Sequence, residues 1–454
     1  MLPMDALSAA AACHGQLSAD GNIMIKHVST DTRTLGEGAL FVAIKGERVD
    51  GHDFAGQAIA NGAALVLAQK GRDLGDDIPA IYVEDTVKAL GDLAAYHRSR
   101  MRIPVIAVTG SVGKTSTKEI IAASLSAGFR VHKTKGNFNN EIGLPLSVLE
   151  LDETHEAAVF EMGMRGFGEI SYLSGIVKPD MAVITNIGIS HIERLGSRQN
   201  ILKAKLEILD GMQDKGTVVL NGDDELLSGL KGLLKHETLF YGVQEDFDLY
   251  AYDIRSMGEE GVSFRVQAGS ASHLFSVPAP GMHHVQNALA AIAVARKLGM
   301  DDDAIEKGLM SYAGESMRMH ISERNGIKVI NDAYNAAPAS MSSALGVLAD
   351  VGRGRRTIAV LGDMLELGDW TEHSHRDIGH QAAQSGVDFL IGVGEYARWY
   401  LEGALESGMG QENAVLFDSI EGAGAFLKSI LKSGDVVLFK GSRKMKLDVL
   451  ADAL

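Results

Sequence analysis

The run Val105–Glu119, VIAVTGSVGKTSTKE, constrains the fold more than any other stretch of the chain. Apolar residues from Ile103 to Val108 lead into Gly110-Ser-Val-Gly113-Lys114-Thr115, and a helical pattern follows. Strand, glycine turn and helix in that order make a phosphate-binding loop. The glycines let backbone N–H groups turn toward an anion, the lysine reaches the outer phosphates and the hydroxyl meets Mg²⁺. Val108 stands where the full GxxxxGK[ST] pattern carries its first glycine. The expectation is a nucleoside triphosphate site in which Gly110, Ser111, Gly113, Lys114, Thr115 and Ser116 surround the phosphates.

A buried strand leading into such a loop belongs to an α/β sheet, and the rest of the chain repeats the pattern. Ile103–Thr109, Ala157–Glu161, Met181–Thr185 and Val218–Leu220 are near-continuous apolar runs, each followed by a polar or glycine turn. Strands without alternation are buried on both faces, as in a parallel sheet between helices. Between Glu237 and Pro278 the pattern changes to alternating segments (239–242, 248–254, 262–266 and 274–277), which predict a small inserted antiparallel sheet. A helix over His284–Leu298, stopped by Gly299, follows it. From Glu315 onward the buried runs Ile327–Ile330, Thr357–Leu361, Phe389–Val393 and Val436–Phe439 recur with helices between them. They end at Asn331-Asp332, Gly362-Asp363, Gly394-Glu395 and Lys440-Gly441, the strand ends where open α/β sheets gather ligands.

The fold class expected is therefore α/β with three domains, in keeping with 454 residues at about 150 per domain. These are a small N-terminal α/β module (1–84), a central P-loop parallel-sheet ATPase domain with the inserted antiparallel segment (85–314), and a C-terminal Rossmann-like domain (315–454). A net charge of −16 argues against general nucleic-acid binding, which needs a basic face. Cys13 is the only cysteine, so neither an intrachain disulfide nor a cysteine-based zinc site is available. No stretch approaches the roughly 18–20 apolar residues of a membrane span. The small-residue run Ala9–Cys13 follows Asp5 rather than a basic start, and reads as a helix rather than a cleavage signal. A cytoplasmic monomer is expected. His373, His375 and His380 sit on a polar helix start, where the 373/375 spacing does not stack two ligands on one face; no metal is assigned there.

Taken together, the landmarks resemble the Mur ligases of peptidoglycan synthesis over essentially the whole chain. The shared motifs are TGSVGKTS, FEMG around Glu161, TNIGISHIERLGS (185–197), AKLEI (204–208), the Asn287 helix and the Asp332 loop. GNFNNEIGLPLSVL (136–149), NDAYNAAP (331–338), GDMLELGD (362–369) and KGSR (440–443) are similar to the member that adds the final dipeptide. STDTR (29–33) and LFVAIKGERVDGHDF (40–54) resemble the uridine-nucleotide module of the members adding the third residue and the dipeptide, while the third-residue enzyme's Asp-Asn-Pro-Arg signature is absent.

The resemblance implies an ATP-dependent amide ligase that joins D-alanyl-D-alanine to UDP-N-acetylmuramoyl-tripeptide through an acyl phosphate. The alternatives are a related ligase adding another amino acid, or a regulatory P-loop ATPase. It further implies Lys114 on the β- and γ-phosphates and two Mg²⁺ ions. Thr115 and Glu161 would ligate one, and His191 with a carbamylated Lys205 the other. Asn287 falls near the adenine, although the pair before it reads His283-His284. Arg318 matches a γ-phosphate arginine, with Met317 where a glycine is common, and Asp332 matches a ribose-contacting acid. Ser29, Thr30, Asp31, Arg33, Lys45, Gly46, Asn139 and Asn140 are the candidates for the UDP-sugar peptide. Lys440 or Arg443 would suit the dipeptide carboxylate.

Overall fold

A computed structural model describes residues 1–75, 77–269 and 271–454. The chain forms two compact units, one of Met1–Thr109, Phe129–Val183 and Leu206–Thr217, the other of Gly110–Gly128, Ile184–Lys205 and Val218–Leu454.

In the first unit, Asp5 caps the helix Ala6–Ala12 by accepting from Ser8 N at 2.7 Å, so the small-residue run is helical as expected. A five-stranded sheet orders Gln16–Leu17, Ala80–Val83, Ala63–Gln69, Ala39–Val42 and His27–Ser29, parallel except for its first pair. A second parallel set pairs Val131–Lys133 with Ala157–Glu161 and Ala157–Glu161 with Val105–Thr109. All five residues of each of the last two strands are buried, the physical counterpart of their unbroken apolar runs.

In the second unit the helix Lys114–Leu125 packs against His283–Lys297 and Asp302–Met310. Leu249–Ser256, Val262–Ala268 and Ala271–Val277 pair antiparallel, as the alternation predicts. Glu237–Gly242 departs from that expectation. It runs parallel to Leu249–Ser256, through Tyr241↔Leu249 and Gly242↔Tyr250. Its last three residues are buried, so it is a core strand rather than a half-exposed one.

The C-terminal sheet orders His320–Arg324, Ile327–Asn331, Val436–Lys440, Thr357–Gly362, Phe389–Val393 and Ala414–Phe417, parallel except for the first hairpin. Alternate residues divide between two cores. Ile330, Leu438, Ala359, Leu361 and Leu390 face the helices Pro338–Val351, Thr371–Gln384 and Arg398–Glu406. Val329, Val437, Ile358, Val360 and Ile391 face Ile420–Ile430 and Leu447–Asp452. Two covered faces explain why these strands carry no polar alternation. Both outermost strands escaped the sequence reading, because partly exposed residues interrupt them.

His375 belongs to this core. It is fully buried, its Nε2 accepts from Met364 N at 3.0 Å, and its Nδ1–H donates to Thr371 O at 2.6 Å. That pattern requires the neutral ring, and burial pushes the imidazole down to about 4. In the unfolded chain it titrates near 6.5. The unfolded chain takes the proton first as pH falls, so this contribution is complete above about 6.5 and is lost toward about 4. It amounts to roughly 3 kcal/mol at most. His375→Gln should flatten the loss of thermal stability over this acid range relative to wild type. Parallel pH profiles for the two proteins would remove His375 from the account.

Candidate nucleotide and ligase site

The phosphate loop is held by the segment that begins at Thr185. Ser111 N donates to Asn186 O at 3.0 Å and Val112 N to Asn186 Oδ1 at 3.0 Å. Val112 O accepts from Thr185 Oγ1 at 2.7 Å and Asn186 Nδ2 at 3.0 Å, while Gly188 N donates to Ser111 Oγ at 2.9 Å. A Cβ on Gly110 would lie 1.9 Å from Thr185 Oγ1, so this approach requires glycine. Gly113, at φ 81°, opens the helix Lys114–Leu125 in the left-handed region. Lys114 Nζ donates to Gly110 O at 2.8 Å and to Ser111 O at 3.3 Å. Thr115 is buried at the first turn of the same helix.

Asn287 stands beside this turn. Its Oδ1 accepts from Thr117 Oγ1 at 3.0 Å, and its buried Nδ2 has no partner among the described residues. The Nδ1 atoms of His283 and His284 are likewise buried without partners among the described residues, and their rings lie 4.2 Å apart. Three unused polar atoms around the helix start fit a ligand with its own donors and acceptors.

His191 and Lys205 share the electrostatic environment of Lys114. Burial, then the charge on Lys114, pushes Lys205 well below the usual lysine range. Lys205 is 2% exposed, and among the described residues it has no carboxylate within ion-pair distance. His191 is lowered by burial; Glu366, whose Oε2 lies 2.6 Å from its Nδ1, offsets part of that. Both members of this pair have left-handed backbone, at φ 62° and 65°.

Arg318 lies over the Tyr334 ring, 4.2 Å from its centroid, and its Nε is 3.4 Å from Glu315 Oε2. Asp332 accepts from Met319 N at 3.1 Å and from Lys440 Nζ at 2.5 Å. Lys440 also reaches Asp332 O and Asn335 O, at 3.4 and 3.1 Å. Its buried ammonium is thus committed to the Asp332 loop, and the suggestion that it receives the dipeptide carboxylate is set aside. Arg443, more than half exposed and held by Asp448 at 2.8 Å, keeps that role open.

The first unit carries the other candidates. Glu161 is 1% exposed; its Oε1 accepts from Asn139 Nδ2 at 2.6 Å and its buried Oε2 has no partner among the described residues. An unpartnered carboxylate oxygen in such a place fits a cation ligand. Asn140 uses its side-chain oxygen on Gly143 N at 2.8 Å, capping the following helix. Ser29, Asp31 and Arg33 form one turn. Ser29 Oγ accepts from Asp31 N at 3.0 Å, and Arg33 pairs with Asp31 at 2.6 Å, holding that carboxyl at about 2. Thr30 lies between Ser29 and Asp31. Gly46 N donates to Val49 O at 2.9 Å, and Lys45 bridges Asp50 through backbone. A cavity of about 420 Å³ lined by His27, His132, Lys135, Glu150 and His155 adjoins the strand that ends at Ser29.

Sequence reasoning gave no role to Thr185, Asn186, Lys118, Glu315 or Glu366. Thr185 and Asn186 head the TNIG motif, Glu366 lies in GDMLELGD, and Lys118 follows Lys114 by one helical turn. The last spacing was the available signal for a second inward lysine.

Family models described as "Mur ligase family, catalytic domain", "Mur ligase middle domain" and "Mur ligase, glutamate ligase domain" match residues 24–98, 108–295 and 317–443. A Bacillus subtilis (strain 168) protein named UDP-N-acetylmuramoyl-tripeptide–D-alanyl-D-alanine ligase is 40% identical over 433 residues, covering 95% of this chain and 93% of that one. A crystal structure of MurF from Acinetobacter baumannii is similar at TM-score 0.90 and 34% identity, covering 100% of this chain and 98% of that one. The MurF ligase of Thermotoga maritima in complex with ADP is similar at TM-score 0.82 and 30% identity, covering 94% and 96%. Its motifs in order, its loop geometry and this near-full-length likeness agree: the chain belongs to the Mur ligase family.

Proposed function

We propose that this chain joins D-alanyl-D-alanine to UDP-N-acetylmuramoyl-tripeptide at the expense of ATP, in a cytoplasmic step of peptidoglycan precursor synthesis. The observation that carries the reading is Lys205. It is buried within the electrostatic reach of Lys114, with no carboxylate partner among the described residues. A nucleotide switch has no use for so costly a group, whereas this family's ligases have one in AKLEI.

A carboxylate is a poor electrophile. The tripeptide carboxylate first attacks the γ-phosphorus, the bond to ADP breaks, and an acyl phosphate forms. The dipeptide amine then adds to the acyl carbon, loses its proton, and the tetrahedral adduct expels phosphate. Both steps require positioning and neutralisation of oxygen charge. Lys114 and Arg318 supply cationic donors, the loop residues Gly110, Ser111, Gly113 and Ser116 line the phosphates, and Asn287 and Asp332 orient adenine and ribose. Glu161, Thr115 and His191 are oxygen and nitrogen donors suited to Mg²⁺, which supplies charge neutralisation when bound. Lys205 would join them as a carbamate: its neutral amine bonds to the carbon of CO₂ and loses a proton, so a cation becomes an anion. Residues 1–84 with Asn139 and Asn140 form the UDP-sugar side, 85–314 the ATP domain, and 315–454 the domain that presents Arg318, Asp332 and Arg443.

The decisive assay follows ADP release and product mass with ATP, Mg²⁺ and UDP-N-acetylmuramoyl-tripeptide. A pentapeptide product made only with D-alanyl-D-alanine is expected. Product with another amine would keep the family and change the substrate; ATP hydrolysis indifferent to the UDP-sugar would overturn the ligase reading. Lys114→Ala should lower kcat by about 100-fold or more, the scale of a lost charge-stabilising donor, and full activity at saturating ATP would reject its role. Lys205→Ala should be similarly impaired and partly restored by short carboxylic acids, which replace the carbamate. Normal turnover of that variant without added acid would sink the carbamate assignment.

A further inference from the structure

A charged cluster lies one helical turn beyond the phosphate loop. Lys118 follows Lys114 by four residues, so it lies on the same side of the helix about 6 Å deeper. Its side chain is fully buried; Nζ lies 2.8 Å from Glu119 Oε1 and 3.9 Å from Glu315 Oε1. The Glu119 carboxyl adjoins Glu315, whose other oxygen faces Arg318 Nε at 3.4 Å. Tyr312, at the edge of the cluster, is buried, with Ser116 and Glu119 beside it. Burial, followed by the neighbouring Glu119 carboxyl, raises the Glu315 carboxyl above the ordinary range, against the pull of Lys118 and Arg318. A carboxylate between two cations and a second acid is therefore the link between the loop helix and Arg318.

The connector is clamped on its far side as well. Glu315 and Arg318 pair as an isolated bridge, and Gly314, Met317 and Met319 all have left-handed backbone. For the two methionines this costs about 1–2 kcal/mol each. Met317 O accepts from Tyr334 N at 3.2 Å and Met319 N donates to Asp332 at 3.1 Å, so the strained conformation is held from the Asp332 loop. Among the described residues, Arg318 is consequently fixed by its ring contact on one side and by one acceptor, Glu315, on the other.

We propose that Glu315 is a positioning residue, which couples the register of the phosphate-loop helix, through Lys118, to the placement of Arg318 at the transferring phosphate. The inference rests on the ligase reading above. It assigns Glu315 no contact with substrate; the residue acts through Arg318.

The test is a double-mutant cycle in the full-length enzyme, using kcat and KM for ATP with the UDP-tripeptide and dipeptide. Glu315→Asp keeps the charge and withdraws the acceptor by one methylene. It should lower kcat by about 10–100-fold, the scale of a misplacement of about 1 Å, while the KM of the UDP-sugar substrate stays put. Glu315→Gln keeps length and an acceptor oxygen and should recover most of that loss. In an Arg318→Lys background, which lacks the planar fork, Glu315→Asp should cost little more, because the position it sets is already vacated. A full multiplicative loss in that background, or a fall explained by a lower melting temperature in both Asp and Gln variants, would make Glu315 merely structural. An Asp variant as active as wild type would also end the proposal. Wild-type enzyme that makes no amide would instead refute the ligase reading and leave the cycle without its premise.

Discussion

The site depends on the way Thr185 and Asn186 hold the backbone of the phosphate loop. A loop that must point N–H groups at an anion leaves its carbonyls facing elsewhere, and unpaired buried carbonyls are costly. Thr185 and Asn186 satisfy Val112 O, while Asn186 takes the N–H groups of Ser111 and Val112. The anchor is itself anchored: Asn221 Nδ2 donates to Thr185 O at 3.0 Å, and Asp224 accepts from Ile187 N at 2.7 Å. The approach that makes this possible is the one closed to any side chain at Gly110. Preorganisation of this kind is paid for during folding rather than during phosphoryl transfer.

How much of this was legible in the sequence follows from where each residue's surroundings come from. Strands covered on both faces have to be continuous apolar runs, so Ala157–Glu161 and Phe389–Val393 are read to the residue. The loop helix and the Asn287 helix show through their own local pattern. Edge strands such as His320–Arg324 and Ala414–Phe417 are half exposed, and nothing in their composition separates them from loops. The direction of Glu237–Gly242 was equally hidden, because alternation reports a strand's exposure and not the sense of its neighbour.

Buried cations are the harder case. Lys118, Lys205 and Lys440 look in sequence like solvated helix or strand-end lysines, yet each is at most 2% exposed. What separates them is their surroundings, set largely by residues elsewhere in the chain: Glu315 beside the adjacent Glu119 for Lys118, Asp332 for Lys440, and the charge of Lys114 for Lys205. Family resemblance supplied the position of Lys205 but not its environment. For Lys440, the strand-tip argument located a charged group beside the Asp332 loop but not its partners, because its hydrogen bonds to Asp332 and Asn335 cannot be inferred from spacing.

The strand tips of the C-terminal sheet also bear on how a ligase of this kind can change its amine. Asp332 is tied to Lys440; Asp363 accepts from Glu395 N and Tyr396 N at 3.1 and 3.0 Å, and its carbonyl takes Ser442 N at 3.0 Å. All four tips are thus knotted to one another, and a substitution at any of them disturbs the others. Freedom to vary falls instead to the exposed residues beside them that stand outside these bonds, Gly368–Trp370 and Arg443 with Lys444. New selectivity would be written there, by drift in exposed loops, while the sheet and its nucleotide-side loop stay unchanged.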